Sequence, residues 1–546
     1  MKRLLILQAL ALTIATATAE PARAQAEEQL QPGLFSEMVD VRVVNVEVVV
    51  TDRDGVLVRG LGVEDFVLEI DGAEVAINYF SEVRGGTAIA AESSGGTALP
   101  AVPALVPGEP AGTSFLVFID DFFTFKEDRN RALEGISQDL ALLGPDDRMA
   151  VVAFDGRELE MLSSWSQSGE ALERAFAEAR RRPTQGVMRL NELRQYERNT
   201  DRRPAGLQSA FELDPETKSY VLRLGDQVDR MLRGAAATLR SFAKPPGRKV
   251  MLMLTGGWPY SPTEFVVTDF RGGSEAEVVE REHLFRQLSD TANLLGYTLY
   301  PADVSGQGSR WIEDPASASR AQAGSSQLYL ARTTGRQYSS RYLARETGGT
   351  PLLFENAHRA FSKAVADTRS YYWLGFSPDR AWDDAVHDVV VRTRGGELKV
   401  RSRQGFLDVS RVAEVTMSVE SAFLFGSVPE SSELKVEFGA SRKAGFRKME
   451  VAMTLSLPYD AMTFVPYGDG LAAALEIRLA VEDAGSRMAD IPTLPVRLEV
   501  TTTPPAGERW EYTVPLKMRR QEHRAMVAVY DATSGKMYTS GVVIKP

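Results

Sequence analysis

Cysteine is absent from all 546 residues. That excludes disulfides, thiolate metal sites and a lipid-modified cysteine in one step. Histidine is scarce: His283, His358, His387 and His523 stand far apart and form no His-Glu-x-x-His unit. No Gly-x-Ser-x-Gly elbow and no Gly-x-x-x-x-Gly-Lys phosphate loop occurs. A basic excess is missing as well. Lys+Arg number 63 against Asp+Glu 74, a net charge of −11, and nucleic-acid partners normally require the opposite sign.

Long apolar runs are missing everywhere except at the start. Lys2 and Arg3 precede an apolar stretch, Leu4 to Ala19, followed by small-residue exits at Ala17-Thr18-Ala19 and Ala22-Arg23-Ala24. This order of charge, apolar run and small residues predicts a signal peptide over 1–24, removed after Ala24. The sequence therefore predicts export to the periplasm or outside the cell, with no transmembrane segment once the signal is gone. A chain exported without disulfides must be held together by its hydrophobic cores.

What is present falls into blocks. Residues 37–84 predict an N-terminal β domain: a Val-rich strand from Val41 to Val50, then Phe66–Ile70 and Val75–Phe80 around the hairpin dipeptide Asp71-Gly72. Residues 85–113, rich in Gly, Ser and Pro, read as a flexible linker. From 114 to 378 buried strands alternate with helices, beginning with Phe115–Ile119 and closing with Tyr371–Phe376. That alternation predicts a mostly parallel sheet with helices on both faces. Within it, 180–226 carries Arg180, Arg181, Arg182, Arg189, Arg194, Arg198, Arg202 and Arg203 and reads as a solvated helical insertion. Residues 385–407 predict a hairpin about Gly395-Gly396, and its 385–406 strands are expected to complete the N-terminal β domain, since either piece alone has too few strands. From 412 to 546 short strand-like segments between turns predict a C-terminal β-sandwich without useful helical periodicity.

Residues 39 to about 407 resemble the VWFA-related domain (von Willebrand factor type A-like, VWA) of secreted acidobacterial proteins. The resemblance rests on ordered motifs: Asp65-Phe66, Glu69-Ile70-Asp71-Gly72, Phe118-Ile119-Asp120-Asp121, Gly247-Arg248-Lys249-Val250, Tyr300-Pro301-Ala302-Asp303, Glu346-Thr347-Gly348-Gly349, Ser370 to Phe376 and Arg401 to Phe406. It implies an α/β VWA fold, Rossmann-like, between an N-terminal β domain and a C-terminal β-sandwich, and it implies no enzymatic activity.

The same resemblance implies a place for a metal-ion-dependent adhesion site, where loops at the carboxyl ends of parallel strands offer oxygens to a divalent cation. Here the pattern is degenerate. Asp120 holds the first position, Thr124 the third, and Ser166 falls where a threonine is expected; Phe122 and Gly256 replace a hydroxyl and a carboxylate. Asp121 and Asp303 are candidate helpers at the same sheet edge. No cofactor is certain on this pattern; Mg²⁺ or another divalent cation is the ligand such a site would take. The reading that follows is an exported, non-catalytic protein–protein interaction or adhesion-type module whose protein partner is unknown. Its alternatives are a structural part of a cell-envelope assembly, with the VWA domain as scaffold, and an unrecognised hydrolase.

Overall fold

The computed structural model describes residues 44–93, 105, 107–200, 213–242, 247–267, 281–305, 323–353, 357–378, 383–408, 410–424, 431–483, 491–505 and 507–545. The signal segment 1–24 lies outside the described residues, as does 201–212 within the Arg-rich stretch.

In chain order the elements are β1 (Val44–Thr51), β2 (Phe66–Ile70), β3 (Ala73–Val75), β4 (Tyr79–Arg84), β5 (Thr87–Ser93), β6 (Thr113–Asp120), α1 (Lys126–Gln138), β7 (Arg148–Phe154) and β8 (Leu159–Ser166). Next come α2 (Gly169–Arg181), α3 (Gly186–Thr200), α4 (Pro215–Ser241), β9 (Arg248–Thr255), α5 (Pro262–Val266), α6 (Arg281–Leu295), β10 (Tyr297–Asp303) and α7 (Ala323–Glu346). Then follow α8 (Ala360–Thr368), β11 (Tyr371–Phe376), β12 (Val386–Thr393), β13 (Lys399–Arg401), β14 (Gly405–Leu407) and α9 (Arg411–Leu424). The chain ends with β15 (Lys435–Phe438), β16 (Arg442–Lys443), β17 (Lys448–Pro458), β18 (Val465–Tyr467), β19 (Gly470–Asp483), β20 (Thr493–Val500), β21 (Arg509–Arg519), β22 (His523–Asp531) and β23 (Met537–Ile544).

The central sheet has the order β10-β9-β6-β7-β8, parallel except for β8. Successive side chains of a strand point to opposite faces, and β6 divides accordingly. Leu116 and Phe118 enter a core with Leu190, Val228, Met231, Phe285 and Leu343, whereas Phe115, Val117 and Ile119 enter one with Leu133, Phe176 and Phe361. Helices α3, α4, α6 and α7 thus cover one face, and α1, α2 and α8 the other. The carboxyl ends of the parallel strands, at Asp120, Phe154, Thr255 and Asp303, share one edge.

Beside this layer stands a β unit of two sheets, β13-β1-β11-β4-β5 and β14-β12-β2-β3, closing on a common core of Val46, Val48, Phe66, Leu68, Tyr372, Leu374, Val389 and Phe406. The β2–β3 turn has positive φ at both central residues, Asp71 (50°) and Gly72 (79°), the geometry that suits tight two-residue hairpins. The unit is joined to the central sheet through buried polar contacts. Glu47 on β1 meets Arg248 at 2.9 Å and accepts from the Thr298 hydroxyl at 3.0 Å. The Arg248 guanidinium also stacks on the Tyr371 ring at 4.4 Å.

The last unit pairs a sheet of β15, β16, β17 and β21 with one of β18, β19, β20, β22 and β23 over a shared apolar core. Helix α9 lies on the outer face of the second sheet, where Val419 and Phe423 meet Ala480, Met526 and Ala528.

Several expectations need correction. Residues 87–93 are not linker: β5 pairs antiparallel with β4. Tyr371–Phe376 does not close the central sheet but sits between β1 and β4. Its fully buried pattern arises because an inner strand of an antiparallel sheet can be covered on both faces just as a parallel one is. The 385–407 segment forms no simple hairpin; β12 pairs with β2 and β14, while β13 crosses to β1. The Arg-rich stretch is not a solvated insertion, since α3 buries Leu190, Leu193 and Tyr196 in the core. The span 412–546 opens with a helix rather than a strand, and Val415, Val419 and Phe423 recur at helical spacing on its buried face.

Among the described residues, no helix is long and apolar enough to cross a membrane.

Candidate functional site

The carboxyl edge of the central sheet is built around Asp120, the last residue of β6 and 0 % exposed. A short polar side chain at a strand end can hold the turn that follows it by accepting nearby backbone N–H groups. Asp120 does this with one oxygen, which accepts from the N–H of Phe122 and of Phe123, both at 2.8 Å. Its other oxygen accepts from the Thr255 hydroxyl at 3.2 Å and the Trp258 indole N–H at 2.9 Å. A carboxylate offers about four lone-pair directions, so these four donors occupy the whole acceptor capacity. Burial pushes the Asp120 carboxyl up to about 6, against the opposing pull of the four hydrogen bonds.

The neighbouring positions close the edge further. The Thr124 hydroxyl donates to the Asp120 carbonyl, which turns the chain into α1. Gly256 is confined sterically: a Cβ there would stand 2.3 Å from the Phe123 carbonyl oxygen. The loops after β6 and β9 therefore touch backbone to backbone, in the space where a carboxylate at 256 would have projected. A Cβ on Gly186 would likewise meet the Thr124 carbonyl at 2.4 Å, so the start of α3 is packed on the same loop.

Asp121 is fully buried between two arginines. Arg129 Nη1 meets one oxygen, and Arg182 Nε the other at 2.7 Å. Burial raises its carboxyl above the ordinary value, with both guanidinium charges pulling it down. Asp303 accepts from the Ser305 N–H at 3.0 Å and lies 3.4 Å from Arg336 Nη2. Arg336 also donates to the Gly256 carbonyl and to the Ser305 hydroxyl.

Ser166 belongs elsewhere. Because β8 runs antiparallel, Ser166 pairs with Met149 at the start of β7, while Asp120 pairs with Phe154 at its end. At about 3.3 Å per residue this puts Ser166 at the opposite end of the sheet. The structure thus brings Asp120, Asp121, Thr124 and Asp303 to one edge and leaves Ser166 out. The chain that does approach the Asp120 turn is the α2–α3 connection, where Gln185 N–H donates to the Asp121 carbonyl at 2.7 Å. Trp258, Arg129, Arg182 and Arg336 were not legible as site residues. Only the short distance in sequence from Asp121, just after β6, to Arg129, in the first turn of α1, carried a signal.

A divalent cation needs several carboxylate or hydroxyl oxygens with free lone pairs. The Asp120 edge does not fit that demand: its central carboxylate is saturated by N–H and O–H donors, and its other two carboxylates face guanidinium groups. A separate acid–imidazole group lies in the β unit, where ligand atoms of Asp383, His387 and Asp408 fall within 4.8 Å of one another. His387 already has Asp71 at 2.9 Å on Nδ1 and Asp383 at 3.1 Å on Nε2. An ion there would have to take over the Asp383 contact.

No family model matches the chain, and no curated protein matches it. Among solved structures it is similar to the SpRpn10 VWA domain, with 9% identity over 34% of this chain and 86% of that one, TM-score 0.14. It is also similar to the pilus adhesin SpaC from Lactobacillus rhamnosus GG, with 8% identity over 79% of this chain and 69% of that one, TM-score 0.24. A third similarity is to the Bacteroides uniformis beta-glucuronidase, with 9% identity, TM-score 0.16, covering 33% of this chain and only 19% of that one.

Proposed function

We propose that the chain is an exported, non-catalytic binding protein of VWA type that presents the carboxyl edge of its central sheet to a protein partner without using a metal ion. The observation that carries this reading is the saturation of Asp120 by four donors of the chain itself. A carboxylate so engaged ties the loop after β6 to the loop after β9, and in its ionised form it has no lone pair left for a cation. The edge is thereby a rigid platform. Beside it, at the start of α3, Val187 and Met188 stand 57% and 48% exposed, and methionine is among the residue types enriched at protein interfaces.

The test is capture of envelope proteins by the purified chain, quantified by mass spectrometry, with a Val187→Asp/Met188→Asp variant and with EDTA. The reading expects a defined protein set that the variant loses and EDTA leaves unchanged. Capture that ignores the variant, or that disappears with EDTA, contradicts it, as does hydrolysis of ester or peptide substrates by the purified chain.

A further inference from the structure

The β16–β17 hairpin carries at its tip the most exposed aromatic side chain among the described residues. Phe446 is 87% exposed, although burying a phenylalanine side chain is worth enough that folds seldom leave one in water. Its neighbours are all of one sign. Arg442, Lys443, Arg447 and Lys448 flank it in the hairpin, and every one is exposed.

The register adds a second basic stretch. Lys448 pairs with Arg519 and Glu450 with Lys517 across β17 and β21, and Arg520 N–H donates to the Arg447 carbonyl at 2.9 Å. Lys517, Arg519 and Arg520 are exposed too. Seven cations thus gather at one end of the C-terminal unit of a chain whose net charge is −11. Against them stand Glu450, which meets Arg442 at 3.2 Å and Lys517 at 3.9 Å, and the exposed Glu522. Arg447 itself adopts φ of 55°, a left-handed conformation uncommon for a side chain of its size. That conformation turns the tip tightly and sets its guanidinium 5.3 Å from the Phe446 ring.

We infer that this end of the C-terminal β unit is a docking surface for an anionic lipid bilayer. Cations near a charged leaflet are attracted to the headgroups, and an apolar ring at the tip can enter the boundary between headgroups and acyl chains. An acidic protein or polysaccharide would account for the cations but gives no reason for an apolar ring held outermost on a narrow turn. The inference is independent of the Asp120 edge, which lies in another unit.

The experiment is flotation of the full chain with vesicles of phosphatidylcholine alone and of an equimolar phosphatidylcholine–phosphatidylglycerol mixture, alongside binding to a heparin column. Binding to the mixed vesicles is expected, with little to phosphatidylcholine and with weakening by salt. Phe446→Ser should lower vesicle partition about tenfold, from the apolar area no longer inserted, and leave heparin binding unchanged. Lys448→Glu should lower vesicle partition at least about fivefold. Circular dichroism of both variants should match the parent, since both positions are exposed. Equal binding to both vesicle types overturns the inference. So does heparin binding combined with vesicle binding that Phe446→Ser leaves intact, which would assign the surface to a soluble polyanion.

Discussion

The carboxyl edge of the central sheet and the tip of the C-terminal hairpin use the same residue types in opposite ways. At the sheet edge, Arg129, Arg182 and Arg336 turn inward onto Asp121 and Asp303, so each guanidinium meets a carboxylate of the chain itself. At the hairpin tip, seven cations face solvent with two carboxylates among them. The first arrangement fixes structure and the second leaves charge available to a partner. Arginine content alone distinguishes neither, because what matters is whether the fold brings a carboxylate to the guanidinium.

The comparison breaks most visibly if Asp121 is removed. Asp121→Ala strands the fully buried Arg129 guanidinium without its counter-charge, and loss of one partner of a buried pair costs about 3–5 kcal/mol. Urea unfolding followed by tryptophan fluorescence should show a loss of that size, and a change below about 1 kcal/mol would mean that the pair is solvated.

Asp120 gives a pH signature of similar magnitude. Its folded value is raised from 3.8 to about 6 by burial, so the folded chain holds this proton more tightly than the unfolded one. The associated stability is fully present below pH 3.8 and is lost as pH rises through about 6, a change on the order of 3 kcal/mol. Asp120→Asn should flatten this part of the stability-versus-pH curve. It should also lower stability at neutral pH, since an amide N–H₂ cannot accept from the Trp258 indole.

A smaller effect is expected from Gly256→Ala, whose methyl group would meet the Phe123 carbonyl at 2.3 Å. Forcing the two loops apart should cost about 1–3 kcal/mol in the same unfolding assay, and an unchanged midpoint would show that the loops are not locked together. The hairpin sits at the other end of the scale. Phe446→Ser should alter stability by no more than about 0.5 kcal/mol, so that its consequences are confined to binding.

Local chemistry explains what the sequence made legible. Asp71-Gly72 demanded a tight turn, and the alternation of buried strands with helices around Phe115–Ile119 and Met149–Phe154 matches the observed parallel pairing of β6, β7, β9 and β10. Tyr371–Phe376 misled because a continuous apolar run records burial on both faces but not which sheet supplies it. Ser166 misled for a related reason: distance along the chain does not reveal that β8 reverses and carries the residue to the far end. The donors that close the site were beyond reach. Trp258 lies 138 residues from Asp120 and Arg182 lies 61 from Asp121, and only tertiary packing brings them together. The basic hairpin was hidden differently, since Arg442 to Lys448 has a cationic neighbour in Lys517 to Arg520 only once β17 and β21 pair.

The most direct test of the central claim is the thermal unfolding midpoint of the purified chain in EDTA, in Mg²⁺ and in Mn²⁺, measured in parallel on Asp120→Asn. A carboxylate saturated by its own chain predicts the same midpoint in all three conditions for the parent, and a lower midpoint, again indifferent to metal, for the variant. A midpoint that rises with either cation in the parent and fails to rise in Asp120→Asn would contradict it.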